Sequence, residues 1–289
     1  MKQEQRKAKA KINLSLDVAG RREDGYHLVT MVMQTIDLWD DVTVSVGPGK
    51  GIFLDPGLPY LPADRRNIAW KAAETFLEKA GISGSRIDIR VVKRIPVAAG
   101  LAGGSADGAA VLLALQQLFG APLTAEALFD AALSLGADVP YCMRGGTMLA
   151  QGIGEVLSPL PPMPPCFVVL CKPPFAVSTP EVYRRLDKWR ITRRPDTRGL
   201  CGALKAGDYN GVVHRLYNVL EDVTAGMHDE VESIKSALLD LQADGAVMSG
   251  SGPSVFGLFR DETRARLAYE RLASRYADTF LTQISNGLE

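Results

Sequence analysis

Two α+β lobes meeting near residue 160 are what this sequence predicts, on three observations. The chain has 289 residues, beyond the size at which one hydrophobic core usually stops growing. It opens on strand-like alternation and then mixes helical and strand-like segments, before and after residue 160. From Pro159 to Pro165 it reads PLPPMPP, five prolines in seven residues, which suits neither a helix interior nor a central strand. The boundary is placed there, giving lobes of residues 1–160 and 161–289, and the cleft between them is the expected active site.

The elements follow in order. Ala8, Ala10, Ile12, Leu14 and Leu16 alternate with Lys9, Lys11, Asn13, Ser15 and Asp17, which predicts a half-buried strand over 8–18. The turn Gly20 to Gly25 leads to a second strand near 27–38 and a third near 42–46. Asn67 begins a helical pattern closed by Gly81, and 87–92 alternates as a strand. A glycine cluster then runs into a long apolar helix ending at Gly120, followed by a short helix from Thr124 to about Gly136. Beyond the prolines, strands are expected at 167–171, 245–248 and 254–259. Helices are expected at 181–189, 209–219, 230–243 and 262–276.

Composition narrows the function. Lys+Arg 33 balances Asp+Glu 33, and the only basic run is the short stretch from Gln5 to Lys11, so no nucleic-acid partner is expected. No apolar leader and no stretch of about 18 apolar residues occurs, so no membrane is expected either. Cys142, Cys166, Cys171 and Cys201 form no C-x-x-C pair and the histidines are not spaced with them for zinc. Four free thiols in a chain of this size fit a reducing cytoplasm, as monomer or homodimer.

The segment Pro96, Val97, Ala98, Ala99, Gly100, Leu101, Ala102, Gly103, Gly104, Ser105, Ala106, Asp107 is the richest in chemistry. A helix start exposes unpaired N–H groups and positive partial charge, which suits an anion, and glycines let the backbone approach a phosphate. Ser105 is placed to cap that helix or to face a phosphate or metal. A tight turn with a capping serine reads the same glycines equally well. Neither a G-x-x-x-x-G-K-[ST] nor a G-x-G-x-x-G motif is present, so neither a Walker loop nor a dinucleotide or protein-kinase loop applies.

The segment resembles the phosphate-binding motif of the GHMP kinases, and two further motifs stand where that superfamily carries them: Ala10-Lys11-Ile12-Asn13-Leu14, and Met248-Ser249-Gly250-Ser251-Gly252-Pro253-Ser254. The resemblance implies a ribosomal-S5-domain-2-like N-terminal lobe and a ferredoxin-like C-terminal lobe. It also implies ATP held by residues 96–106 and by Gly250, Ser251 and Gly252. Within the superfamily, Gly20-Arg21-Arg22-Glu23-Asp24-Gly25-Tyr26-His27 and Gly136-Ala137-Asp138-Val139-Pro140 are similar to the kinases of 4-diphosphocytidyl-2-C-methyl-D-erythritol, a CDP-linked sugar alcohol of the non-mevalonate isoprenoid route. Another GHMP kinase, of homoserine or mevalonate type, and a non-catalytic ligand-binding relative are the alternatives.

The same resemblance assigns roles. Tyr26 with His27 offers a stacking surface and edge-reading groups for cytosine, Tyr183 is the second aromatic wall, and Thr179 lines the sugar or phosphate region. Asp138 is the base that receives the alcohol proton, with Lys11 keeping it ionised; Asn13, two residues on, shares the face of Lys11 and is placed at the substrate. Each has a plainer reading taken singly: a helix cap for Asp138, an exposed strand lysine for Lys11, a core or surface histidine for His27, helix packing for Tyr183. Relatives often read Gly-Gly-Gly-Ser-Ser-Asn where this chain has Ala102-Gly103-Gly104-Ser105-Ala106-Asp107. Ser105 is thus the remaining hydroxyl for Mg²⁺, and Asn67 and Lys93 are the candidates beside adenine.

Overall fold

A computed structural model describes residues 1–287; the last two residues of the expected second lobe lie outside it. Twenty-residue β1 (Lys2–Arg21) pairs antiparallel with β2 (His27–Pro48), and both exceed the predicted strands. The predicted break at Trp39-Asp40-Asp41 does not occur. Asp40 is fully buried, and its carboxylate accepts the N–H groups of Arg94 and Ile95 and the ammonium of Lys93, so the strand carries a charge inward without ending. Short β3 (Gly51–Asp55) is an element the pattern did not predict. After it come α1 (Ile68–Lys79), β4 (Ser85–Val92), α2 (Gly103–Leu118), α3 (Ala125–Leu135), α4 (Val139–Cys142), β5 (Thr147–Gln151) and β6 (Val156–Pro159). Asn67 and Thr124 cap α1 and α3 through side-chain oxygens, as N-cap residues do.

Past the prolines lie β7 (Phe167–Lys172), α5 (Thr179–Leu186), α6 (Thr197–Lys205), α7 (Tyr209–Val213), β8 (Tyr217–Asn218), α8 (Val219–Ala225), α9 (Glu230–Asp240), β9 (Gly245–Met248), β10 (Val255–Phe259), α10 (Glu262–Ala273) and β11 (Asp278–Gln283). The helix expected over 209–219 is interrupted, because Tyr217–Asn218 pairs parallel with β1 and Asn218 caps α8. The first sheet runs β3-β4-β2-β1-β8, with β5 joining β2 to β6, and the second is antiparallel in the order β11-β7-β10-β9. Among the described residues no helix is long and apolar enough to cross a membrane.

Strand β1 explains where the site sits. Register shifts between Lys9 and Lys11 and between Asn13 and Ser15 mark bulges. Around them Ala8, Leu16 and Val18 join one core cluster while Ala10, Ile12 and Leu14 join the other, which lies against Val168, Leu170, Phe256 and Leu258 of the second sheet. Every residue from Ala8 to Leu16 is buried, so the strand is not half-exposed as its alternation implied. Burial of Ile12 and Leu14, worth about 1.5–3 kcal/mol each, holds the strand inside. Lys9 and Lys11 are carried in with it, and a buried ammonium costs several kcal/mol unless partnered.

Candidate active site

Lys11 finds its partners at once. Its Nζ is 2.8 Å from Asn13 Oδ1 and 3.6 Å from Asp138 Oδ2. The Lys11 side chain is 5% exposed and that of Asp138 30%, so the pair sits at the mouth between interior and solvent. Asp138 precedes α4 yet makes no side-chain cap bond, which leaves its carboxylate toward Lys11. Asn13, expected at the substrate, is fully buried and does not line the cleft; its Oδ1 orients Lys11 and its Nδ2 lies 3.2 Å from Met31 Sδ.

The three sequence motifs are hydrogen-bonded to one another through backbone groups and the Ser249 hydroxyl. Lys11 N–H donates to Leu101 C=O at 3.1 Å, Ser249 Oγ–H donates to Gly100 C=O at 3.0 Å, and Asn13 N–H donates to Ser249 Oγ at 3.3 Å. Asn218 Nδ2 then ties down the carbonyls of Met248 and Gly250. Gly100 has φ +75°, and a Cβ there would lie 2.2 Å from Ser249 O, so both its conformation and its space require glycine.

The helix behind the loop starts earlier than Ser105. Residue Ala102, at φ 57°, is the N-cap of α2 and supplies no side-chain bond; Ser105 is inside the first turn and is not the cap. No acidic side chain occupies that turn, so the N–H groups of Gly103, Gly104 and Ser105 remain for an anion. Ala98 is also left-handed, at φ 52°, and exposed. A left-handed L-residue costs about 1–2 kcal/mol, and a glycine's extra chain entropy offsets about half of that. Ala98→Gly is therefore expected to raise Tm by about 2 °C, whereas Gly100→Ala lowers it; thermal melts of the two variants check both signs.

One cleft of about 1180 Å³ collects these groups. Lys11, Tyr26, His27, Asn67, Lys93, every residue from Pro96 to Ser105, Asp138, Thr179, Tyr183, Gly250 and Ser251 line it. Ala106 and Gly252 do not: Ala106 is buried with its N–H bonded to Ala102 C=O, and Gly252 N–H closes the turn onto Ser249 C=O. Thr179 Oγ1 lies 2.7 Å from Ser251 Oγ, joining the start of α5 to the third motif. On the cleft wall Tyr26 is 60% exposed, and the ring of His27 lies 4.7 Å from that of Tyr183. Burial raises the Tyr183 phenol well above its ordinary range, so it stays neutral.

Lys93, expected beside adenine, spends its ammonium on two carboxylates. It bridges Asp40 Oδ2 at 2.5 Å and Asp107 Oδ2 at 2.7 Å. Burial pushes the Asp107 carboxyl up from 3.8 to about 7 against the opposing Lys93 charge, and its Oδ1 has no partner among the described residues. Asp187 and Arg21, to which no sequence motif assigns a role, also lie on the cleft wall. Asp187 lies four residues past Tyr183, on the same face of a helix, which is the one local signal that pointed to it.

Comparison with known proteins agrees with this geometry. Residues 67–146 match the GHMP kinases N terminal domain and residues 202–278 the GHMP kinases C terminal family. The 4-diphosphocytidyl-2-C-methyl-D-erythritol kinase of Alkaliphilus metalliredigens (strain QYMF) is 46% identical over 283 residues, covering 98% of this chain and 97% of the relative. A crystal structure of 4-(cytidine 5'-diphospho)-2C-methyl-D-erythritol kinase superposes with a TM-score of 0.81 at 36% identity, covering 98% of this chain and all of that one. A homoserine kinase from Cytophaga hutchinsonii shares the fold, with a TM-score of 0.77 at 20% identity, covering 100% of this chain and 96% of the other. With the motifs, the cleft and near full-length identity in agreement, the chain belongs to the GHMP kinase superfamily and, within it, to the 4-diphosphocytidyl-2-C-methyl-D-erythritol kinase family.

Proposed function

We propose that this protein transfers the γ-phosphoryl group of ATP to the 2-hydroxyl of 4-diphosphocytidyl-2-C-methyl-D-erythritol, in the cytoplasm. The observation that carries the reading is that one cleft holds both ends of the reaction. The Lys11–Asp138 pair, an uncapped glycine-rich helix start, and an aromatic and imidazole wall of Tyr26, His27 and Tyr183 all line it. A small acceptor such as homoserine or mevalonate has no base to set against that wall.

Phosphoryl transfer asks chiefly for positioning and charge neutralisation. The N–H groups of Gly103, Gly104 and Ser105 face the nucleotide phosphates, with Gly250 and Ser251 behind them. Asp138 takes the proton of the acceptor hydroxyl. The Lys11 ammonium holds Asp138 ionised and lowers the cost of alkoxide character on the acceptor oxygen. Asn13 fixes Lys11 for both tasks. Asn67 spends its side chain on Ala69 N–H and Pro62 C=O, so it shapes the nucleotide end by capping α1.

The donor set fits Mg²⁺ held mostly by ATP oxygens. Among the described residues no group of three His, Cys, Asp or Glu side chains gathers into a cage, and Ser105 offers a hydroxyl at the cleft wall. When bound, the ion supplies charge neutralisation at the β- and γ-phosphates. Chelation with EDTA is expected to abolish ADP release and added Mg²⁺ to restore it; turnover that persists in EDTA refutes the requirement. The function itself is tested by following ADP release with Mg-ATP and, separately, the CDP-linked methylerythritol, homoserine or mevalonate. ADP release only with one of the last two overturns the acceptor assignment.

A further inference from the structure

The acceptor end contains a carboxylate that the transfer step does not use. Asp187 follows α5 directly, and its two oxygens are divided between groups far away in sequence. Oδ1 lies 2.7 Å from His27 Nε2 and Oδ2 lies 3.3 Å from Arg21 Nη1, so a residue beyond the proline run reaches β2 and β1 at once. The same histidine ring is held against Tyr183 at 4.7 Å with a 34° tilt. All four residues line the cleft.

The chemistry of the pair is restrictive. A neutral imidazole has one N–H and one lone pair, whereas a carboxylate oxygen only accepts. Nε2 therefore carries the hydrogen, and the lone pair is left on Nδ1, which has no hydrogen-bond partner among the described residues. Structure alone gives Asp187 little reason to be there. Its side chain is 33% exposed and that of Arg21 58%, and exposed ion pairs of this kind contribute little to stability. The His27 side chain is 12% exposed, so its bond to Asp187 is the better shielded of the two. The hydrogen bond from His27, with the charge of Arg21, holds the Asp187 carboxyl below its ordinary range and keeps it an acceptor.

We propose that Asp187 is a positioning residue for the acceptor's base: by binding Nε2–H it fixes one tautomer of His27 and presents Nδ1 as an acceptor for the exocyclic amino group of cytosine. Arg21 secures the carboxylate from behind, and Tyr183 fixes the plane of the imidazole. The inference rests on the reading of a CDP-linked acceptor. It adds a source of discrimination, because the 4-oxo group of uracil in the same place is a second acceptor and finds no donor there.

Two measurements test it. The first is ¹⁵N NMR of the imidazoles in the unliganded full chain, at a pH where they are neutral; the chain has only His27, His214 and His228, and His27→Ala identifies the signal. The wild type is expected to show the Nε2–H tautomer at His27, and Asp187→Ala a mixture. The second is calorimetric titration with CDP, and with UDP, of protein saturated with a non-hydrolysable ATP analogue. Asp187→Ala is expected to weaken CDP about tenfold, the scale of one charge-assisted hydrogen bond, and to lose the preference over UDP. Asp187→Asn, whose amide oxygen still accepts, is expected to stay within about threefold. Affinity for the ATP analogue is unchanged in both.

An unchanged tautomer or unchanged CDP affinity in Asp187→Ala overturns the proposal, as does an equal loss of affinity for the ATP analogue. A wild type that ignores CDP overturns it together with the functional reading. Binding of CDP that depends on Asp187, without ADP release on the CDP-linked acceptor, supports the proposal and sinks the kinase reading alone.

Discussion

Asp138→Asn is expected to lower kcat about 10³-fold, roughly 4 kcal/mol in the barrier, while KM for ATP stays within a few-fold. The substitution keeps the shape of the side chain and removes its ability to take a proton. It should fold normally, because Asp138 makes no cap bond to α4 and its contact with Lys11 is a 3.6 Å ion pair with a 30% exposed carboxylate. The buried Lys11 ammonium loses a charged partner but keeps Asn13 Oδ1 at 2.8 Å and gains the amide oxygen of the new side chain, so the cost in stability is about 1–2 kcal/mol. The expected catalytic loss therefore greatly exceeds the structural one, and the two separate cleanly. Steady-state kinetics with a thermal melt of the same preparation checks it: substantial turnover in a folded variant removes Asp138 from the role of base.

Lys93→Met should act in the opposite way, chiefly on stability. Lys93, Asp40 and Asp107 have side chains 6%, 0% and 8% exposed, and removing the ammonium leaves two carboxylates facing one another in the interior. Asp40 retains the N–H groups of Arg94 and Ile95, but Asp107 is left without a partner. Breaking a buried pair in this way costs about 3–5 kcal/mol, or a fall of about 10 °C in Tm.

The sign of the pH dependence follows from Asp107. Its carboxyl is raised from 3.8 to about 7 on folding, so between those values the folded chain binds a proton that the unfolded chain does not. The stability contributed by this group falls as pH rises through that window and is level above it. Other carboxyls moved on folding, such as Asp88, Asp187 and Asp196, are lowered, so their contributions are lost only toward acid. Denaturant midpoints across the window should decline in the wild type and flatten in Asp107→Asn. The Lys93→Met deficit should shrink toward acid, where Asp107 is neutral; a deficit independent of pH would place the damage elsewhere.

The sequence and the structure differ most where pairing is long-range. The glycine-rich segment, Lys11 and Asp138 were locatable because each lies in a short run that resembles a GHMP kinase motif, and the structure brings all three to one cleft. Asp40 was read as part of a break between strands, since an aspartate in a strand pattern looks like a turn. Only the contact with Lys93, 53 residues on, shows it to be interior. Asp187 stands in no sequence motif, and its bond to His27 spans 160 residues. Ser105 was placed as a cap because caps are read from side-chain type, whereas Ala102 took that position through a left-handed backbone that an alanine rarely adopts. Asn13 shared the predicted face with Lys11, but side-chain direction along a strand does not reveal that the carboxamide ends on its neighbour.

The bonds that knit the three motifs set an order for folding. Leu101 is 90 residues from Lys11, Ser249 is 149 from Gly100, and Asn13 is 236 from Ser249. Contacts of such separation are slow to form, because loop-closure entropy is lost before they repay it. The nucleotide cradle is therefore among the last parts of the molecule to become rigid, although its glycine-rich segment belongs to the first half of the chain. During synthesis that segment waits for residue 249 to leave the ribosome, and a fragment ending short of it has the partners of the Lys11–Leu101 hydrogen bond but lacks the Ser249 bonds to Gly100 and Asn13 that complete the loop.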